Sequence, residues 1–536
     1  MNAQERLLQS IDEQRGRLRA SVPSNRQSAI RALLRVQDRL PHSTSSELQP
    51  DLITGRRLAN LGGNLAFALC MDAESTNDDA PTTHGFDGWA EQFLEECDWL
   101  AEAGLVLTHC ETGFMRLADD GNETFDTWIT TKRAPTSWRE RADIDWWAAL
   151  LARQWQHVPE NIDAERRDAG NDAAYRRVAN AHVKSMTYQF GYPSNAVIDG
   201  CTVKTYLDIL ERLIAWVLQA HDHGEAAVPH WRSERSLVAA LASLLRVEAA
   251  IVGRAVAAFT LDRENAAYHA AVPGVAAAPL VRIGPDQLVP SRYGLTTEPL
   301  LFLTRELRRR SAQEYNNTAF LRENVFRQEL YALFGDKRFV TSTGRIELRR
   351  DSGNVRTDID AVVFDRKTGT LGVFELKSHD PFARSIAELA RQRDNVLYAN
   401  RQVSGVLAWL QQHGANEILH RVDARTAKTF RAQKVYPFVL GRYVAHFNDG
   451  AEPDRRAAWG TWPQVLRLLD GQPVRTTDSN PIASLFNRLA KDTPLAHVPN
   501  DDPARRIALG TARIIVYPSY AAYQANAAVE HGSRSR

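Results

Sequence analysis

The chain has 536 residues, 44% apolar and 24% charged, with a formal net charge of +1. That length can bury sizeable cores in roughly two to four domains, and the near-zero charge does not announce a nucleic-acid protein. Four widely spaced cysteines (Cys70, Cys97, Cys110, Cys201) form no metal-ligand pattern and read as buried thiols in a reducing cytosol. With no secretory segment and no run of about 20 apolar residues, a cytoplasmic protein without a membrane span is expected.

Residues 1 to about 41 place apolar positions such as Ile30, Leu33, Leu34 and Val36 at helical spacing. Polar breaks follow at His42 to Glu47 and at Asp72 to Phe86. Trp89, Phe93, Leu94 and Trp99 mark another helix. Nine of the 12 tryptophans lie before residue 232, including Trp128, Trp138, Trp146, Trp147 and Trp155, and their number suits packing in a helical core. Thr202 to His221 and Leu237 to Phe259 are strongly periodic amphipathic helices, so residues 1–275 are expected to be a mostly α-helical recognition or regulatory region. His221, His223 and His230 read as a solvated helix end, since their spacing fits no zinc site. Residues 276–300, with Leu280-Val-Arg-Ile before Gly-Pro-Asp, are an ordered connector containing a small hairpin. No phosphate-binding G-x-x-x-x-G-K-[ST] loop is present, which excludes a motor ATPase of that type.

Between Leu301 and Leu410 there are 19 Lys and Arg against 14 Asp and Glu, a local basic excess that would attract phosphates. Thr318 to Phe334, closed by Gly335, reads as a helix with Val325, Glu329 and Leu333 on one stripe. Arg345 to Arg350 and a strand from Val355 flank the turn Asp351-Ser-Gly-Asn354. Two β-branched and aromatic runs then meet at Arg366-Lys367-Thr368-Gly369, a hairpin loop ending in Gly. Pairing Asp365 with Thr370 sets Asp360 opposite Glu375 and Asp358 opposite Lys377. All four would project from one face with opposed Cβ atoms about 5 Å apart, while Ile359, Ala361, Val363, Phe374 and Leu376 mark the other face as core. Opposed carboxylates in apolar strands disfavour each other unless a cation lies between them, so a divalent metal is expected. Asp380 as N-cap and Pro381 open the next helix, on which Leu389, Gln392 and Val396 share a stripe. Further helices are expected at Gln402 to His413 and Asn416 to Arg431, strands at Val435 to Phe447, and helices at Trp462 to Leu469 and Pro481 to Ala490.

Asp360 followed by Glu375-Leu376-Lys377 resembles the signature of the PD-(D/E)XK nuclease superfamily, with Ile359 where that signature has Pro. The likeness covers roughly residues 318–400. It implies an α/β nuclease-like domain, a central mixed sheet flanked by helices, over residues 301–450. The large mostly α-helical region would precede it and a helical extension would follow at 451–536.

The implied activity is Mg²⁺- or Mn²⁺-dependent hydrolysis of phosphodiester bonds, with DNA expected ahead of RNA, by an endonuclease serving prokaryotic restriction or anti-phage defence. Asp360, Glu375 and the Leu376 carbonyl would hold the metal, and Lys377 would deprotonate or orient the attacking water. Glu329 would join the metal site or else pair with Arg322 or Arg327. Gln392 would approach the scissile phosphate or else cap a backbone group. Asp358 is either an alternative ligand or a salt-bridge partner of Lys377. Arg356, His379 and Arg384 are expected phosphate neighbours. The helical region would supply a homo-oligomer or partner-protein contact. The alternative is a catalytically silent nucleic-acid-binding or scaffold protein on the same fold.

Overall fold

A computed structural model of the chain describes residues 2–40, 62–72, 86–111, 113, 115–119, 121, 123–130, 150, 172–224, 233–271, 276–350, 352–379, 386–446, 453–475, 477–492, 504–517 and 521–524. It is a mixed α/β protein with a helical N-terminal region and several sheets. Among the described residues no single helix is long and apolar enough to cross a membrane.

The first core gathers α1 (Ala3–Ser21), α2 (Arg26–Arg39), α3 (Gly63–Asp72) and α4 (Asp87–Glu111). A reciprocal pair of hydrogen bonds between Asn2 and Glu5 starts α1 and occupies two of its orphan backbone donors. The helices pack on a four-stranded sheet of order β1-β2-β16-β15. Its strands are β1 (Met115–Asp119), β2 (Thr124–Ile129), β15 (Arg505–Leu509) and β16 (Ala512–Tyr517), with β16 parallel to β2. The end of the chain therefore returns to its beginning and buries Ile507, Leu509 and Ile514 there, where a purely helical extension was expected.

A second core joins α5 (Asp172–Met186), α6 (Val203–His223), α7 (Glu234–Leu245), α8 (Ala249–Ala258) and, after the short α9 (Ala266–Ala270) and α10 (Arg292–Thr296), α11 (Pro299–Arg310) and α12 (Ala312–Asn317). Tyr206, Ile209, Leu213, Val252, Val256, Leu303 and Leu307 are fully buried in it. The ribbon β3 (Val197–Ile198) and β4 (Cys201–Thr202) and the strand β5 (Thr260–Leu261) accompany these helices. The connector hairpin is present as β6 (Leu280–Gly284) and β7 (Gln287–Pro290). Among the tryptophans, Trp89, Trp99 and Trp216 pack against the two helical cores, while Trp138, Trp146, Trp147 and Trp155 lie outside the described residues, as does His230. All four cysteines are free and buried.

The third unit is a five-stranded mixed sheet, β14-β13-β12-β11-β8. It comprises β8 (Phe339–Thr341), β11 (Ala361–Asp365), β12 (Thr370–Lys377), β13 (Lys434–Gly441) and β14 (Ala458–Thr461). β12, β13 and β14 run parallel, while β11 is antiparallel to both β12 and β8. Alternation divides the sheet between two cores. Ala361, Val363, Phe374, Leu376, Phe438 and Leu440 pack with α13 (Ala319–Ala332), α17 (Trp462–Leu468) and α18 (Pro481–Lys491). Val362, Phe364, Leu371 and Val373 face Val406 and Trp409 of α14 (Ile386–His413), with α15 (Ala415–Val422) and α16 (Ala424–Thr429) beside them. Both faces are covered, so Ala361, Val363, Phe374 and Leu376 mark one of two buried faces. The segments expected as separate helices before and after Gln402 are one helix of 28 residues. Asp380 and Pro381, expected to open it, lie outside the described residues.

The hairpin register is the expected one: Asp365 pairs with Thr370 and Ala361 with Phe374. Gly369, at φ +63°, closes the loop, where a Cβ would come within 2.7 Å of the Arg431 carbonyl oxygen. The run from Val355 is not one strand, however. It bends at Asp360, and its first half, β10 (Val355–Ile359), pairs with β9 (Ile346–Arg349) in a separate two-stranded sheet. The bend turns Ile359 to the core shared with Val362 and α14, away from Ala361.

Candidate active site

Asp360 occupies the bend between β10 and β11, and Glu375 and Lys377 end β12 beside it. Asp360 is 6% exposed and Glu375 7%, so both carboxylates are set into the apolar end of the sheet. The Leu376 N–H donates to Asp360 Oδ2 at 2.8 Å, and Lys377 Nζ donates to Glu375 Oε1 at 2.7 Å. These contacts do not balance the desolvation. Burial raises the Asp360 carboxyl above its ordinary value despite the Leu376 N–H and the Lys377 charge. Burial, reinforced by the charge of Asp360, pushes Glu375 up to about 8. Lys377 is fixed a second time by donating to Gln402 Oε1 at 2.8 Å, a contact from α14 on the same face. An ammonium has three N–H donors, so one remains beyond these two bonds.

Three side chains that the sequence did not assign to the site belong here. Glu323, on α13, is raised by burial and then by the nearby charge of Asp360, with Lys377, Arg327 and Arg345 acting the other way. Arg327, one turn later, is buried and donates from Nε to the Asp360 carbonyl at 2.5 Å. Gln402 is the third. A stripe drawn through the buried members of α13, Arg322, Phe326 and Leu330, would have brought Glu323 and Arg327 to notice, because charged residues bordering that stripe need a partner. Gln402, half-buried in the structure, carries no comparable signal, as a glutamine suits most helix positions.

Glu329 goes elsewhere. It forms a two-armed ion pair with the buried Arg442, at 2.8 and 3.0 Å, so the expected metal ligand is a salt-bridge partner and the stripe through Val325, Glu329 and Leu333 is displaced from the buried one. The reason is long-range: Arg442 follows β13, and its backbone N–H donates to the Lys377 carbonyl at 2.8 Å. Asp358, carried away by the bend, pairs with Arg345 at 3.1 Å and does not reach Lys377. Arg356 Nη1 donates to Gln412 Oε1 at 3.2 Å on the exposed side of β10. Gln392 is buried on α14, ten residues and therefore about 15 Å along the axis from Gln402. His379 is half-buried just beyond Lys377, and Arg384 lies outside the described residues.

Among the described residues no group of three or more His, Cys, Asp or Glu side chains is arranged to hold a metal ion. The donor chemistry nevertheless suits a hard divalent cation: two buried carboxylates, both held above their ordinary pKa by burial, next to a backbone carbonyl. Comparison of the chain with protein-family models, with curated proteins and with solved structures returns no match.

Proposed function

We propose that the chain is a metal-dependent nuclease of the PD-(D/E)XK type, hydrolysing phosphodiester bonds with DNA as the expected substrate. The observation that carries this reading is the buried Asp360 and Glu375 pair at the end of β11 and β12, with Lys377 held beside it by two acceptors. Asp360, Glu375 and the Leu376 carbonyl would hold Mg²⁺ or Mn²⁺, with Glu323 a further carboxylate whose titration responds to Asp360. When bound, the metal polarises the scissile phosphate and lowers the pKa of a coordinated water.

The remaining chemistry belongs to the chain. Lys377 orients the attacking water with its third N–H, and Glu375 and Gln402 hold the ammonium so that little side-chain entropy is lost as it does so. Arg327 fixes the Asp360 backbone through its carbonyl. Arg345, 57% exposed at the rim, offers charge to the phosphate backbone.

The test incubates the full chain with supercoiled plasmid, linear duplex, single-stranded DNA and RNA in Mg²⁺, Mn²⁺ or EDTA. Cleavage that needs the metal and disappears in Glu375→Gln and in Lys377→Ala is expected. Absence of cleavage in every arm, or cleavage that survives both substitutions, overturns the reading.

A further inference from the structure

Among the described residues, six large hydrophobic side chains are exposed, and two of them are aromatic: Phe320 at 57% and Tyr398 at 53%. Isolated exposed apolar residues are ordinary. What distinguishes these two is where they sit. Tyr398 stands on α14 one turn before Gln402, the helix partner of Lys377, and Lys377 Nζ lies 5.9 Å from its ring centroid. Arg401 approaches the same ring at 5.6 Å. Phe320 stands on α13 three residues before Glu323 and seven before Arg327, which places all three along one helix face, and Arg327 reaches the site by donating from Nε to the Asp360 carbonyl at 2.5 Å. The two exposed rings therefore belong to the two helices that border the carboxylate site, one on each. Phe and Tyr are indifferent helix formers, so neither ring is there to strengthen its helix.

We propose that Phe320 and Tyr398 are stacking platforms for unpaired nucleobases, one on each of the two helices that contact the candidate active site, so that the substrate class is single-stranded or locally unpaired nucleic acid. The inference rests on the nuclease reading of Asp360, Glu375 and Lys377 and narrows it. An aromatic face accepts any base, and cations beside it take the phosphates, a combination that grips a single strand without reading its sequence. A paired duplex keeps its base faces stacked on one another and offers none to these rings. Arg401 and Arg345 supply the accompanying charge.

The test measures binding of the full-chain protein to labelled oligothymidylate in EDTA by fluorescence anisotropy, beside an abasic strand of equal length that carries the same phosphates without bases. Phe320→Ala and Tyr398→Ala are each expected to bind oligothymidylate roughly five- to 100-fold more weakly while binding the abasic strand as the parent does. Tyr398→Phe is expected to retain parental affinity, because the ring and not the hydroxyl does the stacking. Both positions are exposed, and equal thermal midpoints would show that the variants remain folded. Unchanged affinity for oligothymidylate, an equal loss on the abasic strand, or no binding of oligothymidylate by the parent protein overturns the proposal. No bond is broken in EDTA. A protein that stacks bases yet never cleaves would sink the nuclease reading alone, and one that cleaves but ignores these substitutions would sink this proposal alone.

Discussion

One hairpin carries a buried aspartate at each end, and the two behave oppositely. Asp365, fully buried at the turn, receives two bonds from Arg338 at 2.7 and 2.6 Å, one from Thr368 Oγ1 at 2.7 Å and one from the Lys367 N–H at 3.0 Å. Burial alone would raise its pKa, but these donors outweigh it and hold the carboxyl below its ordinary value. Asp360, five positions earlier on the other side of β11, has the Leu376 N–H and a neighbouring lysine to set against burial and the charge of Asp358, and it is raised. The same residue type at comparable depth thus serves as a fastener where donors converge and as an unrelieved charge where carboxylates do. Such a strand end takes up a proton or a cation to relieve the conflict, which is what makes it the candidate site.

The contrast breaks most clearly through activity. Under the nuclease reading, Lys377→Ala is expected to lower metal-dependent cleavage roughly 10²- to 10⁴-fold in single-turnover assays. A variant within tenfold of the parent would place the chemistry elsewhere.

Stability separates the two ends next. Arg338→Ala strands the Asp365 charge in the core and is expected to cost about 3–5 kcal/mol in urea unfolding, since the pair is 8% and 0% exposed. Asp360→Asn in EDTA removes a disfavoured charge and should cost less than about 1 kcal/mol. Equal costs would erase the distinction between fastener and site.

Proton linkage gives a third comparison. The folded state holds a proton on Glu375 up to about pH 8 whereas the unfolded chain releases it near 4.5, so this contribution to metal-free stability is complete below 4.5 and lost as pH rises to about 8. Asp365 works in the opposite sense: its lowered pKa contributes stability above its unfolded value of 3.8 that is lost as the pH falls through its lower folded value. Thermal melts across this range should therefore show Mg²⁺ stabilising the protein increasingly as pH rises toward 8, because metal and proton compete for Glu375. A Mg²⁺ effect independent of pH would detach the ion from that residue. The smallest effect is expected at the rim, where Arg345→Ala loses an exposed ion pair with Asp358 and should change stability by about 0–1 kcal/mol. A larger cost would mean that the β9–β10 ribbon depends on that bridge.

Local chemistry made much of the site readable. A four-residue loop ending in a glycine with φ +63° fixes how β11 and β12 pair, and strict alternation then sends Glu375 and Lys377 to one face whatever the remaining 500 or so residues do. The helical periodicity of α6 and the small β6–β7 hairpin were legible for the same reason, each being set by neighbours in sequence. Three features were not. The bend at Asp360 has no glycine or proline to announce it, and it separated Asp358 from Lys377. Glu329 was lost to Arg442, a partner 113 positions away that no helix pattern can name. The last strand, β16, found its partner in β2, nearly 400 positions earlier, and carries β15 on its other edge.

The amino-acid order by itself therefore determined the hairpin, its register and the two strand-end groups that share its face, because turn geometry and side-chain alternation act over a few residues. Only the tertiary structure decided which carboxylate joins Asp360, which glutamine holds the lysine and where the arginines go. Those choices depend on which distant charges reach one another once water has been excluded, and a buried ion takes the partner the packing brings within about 3 Å, however far away it lies along the chain.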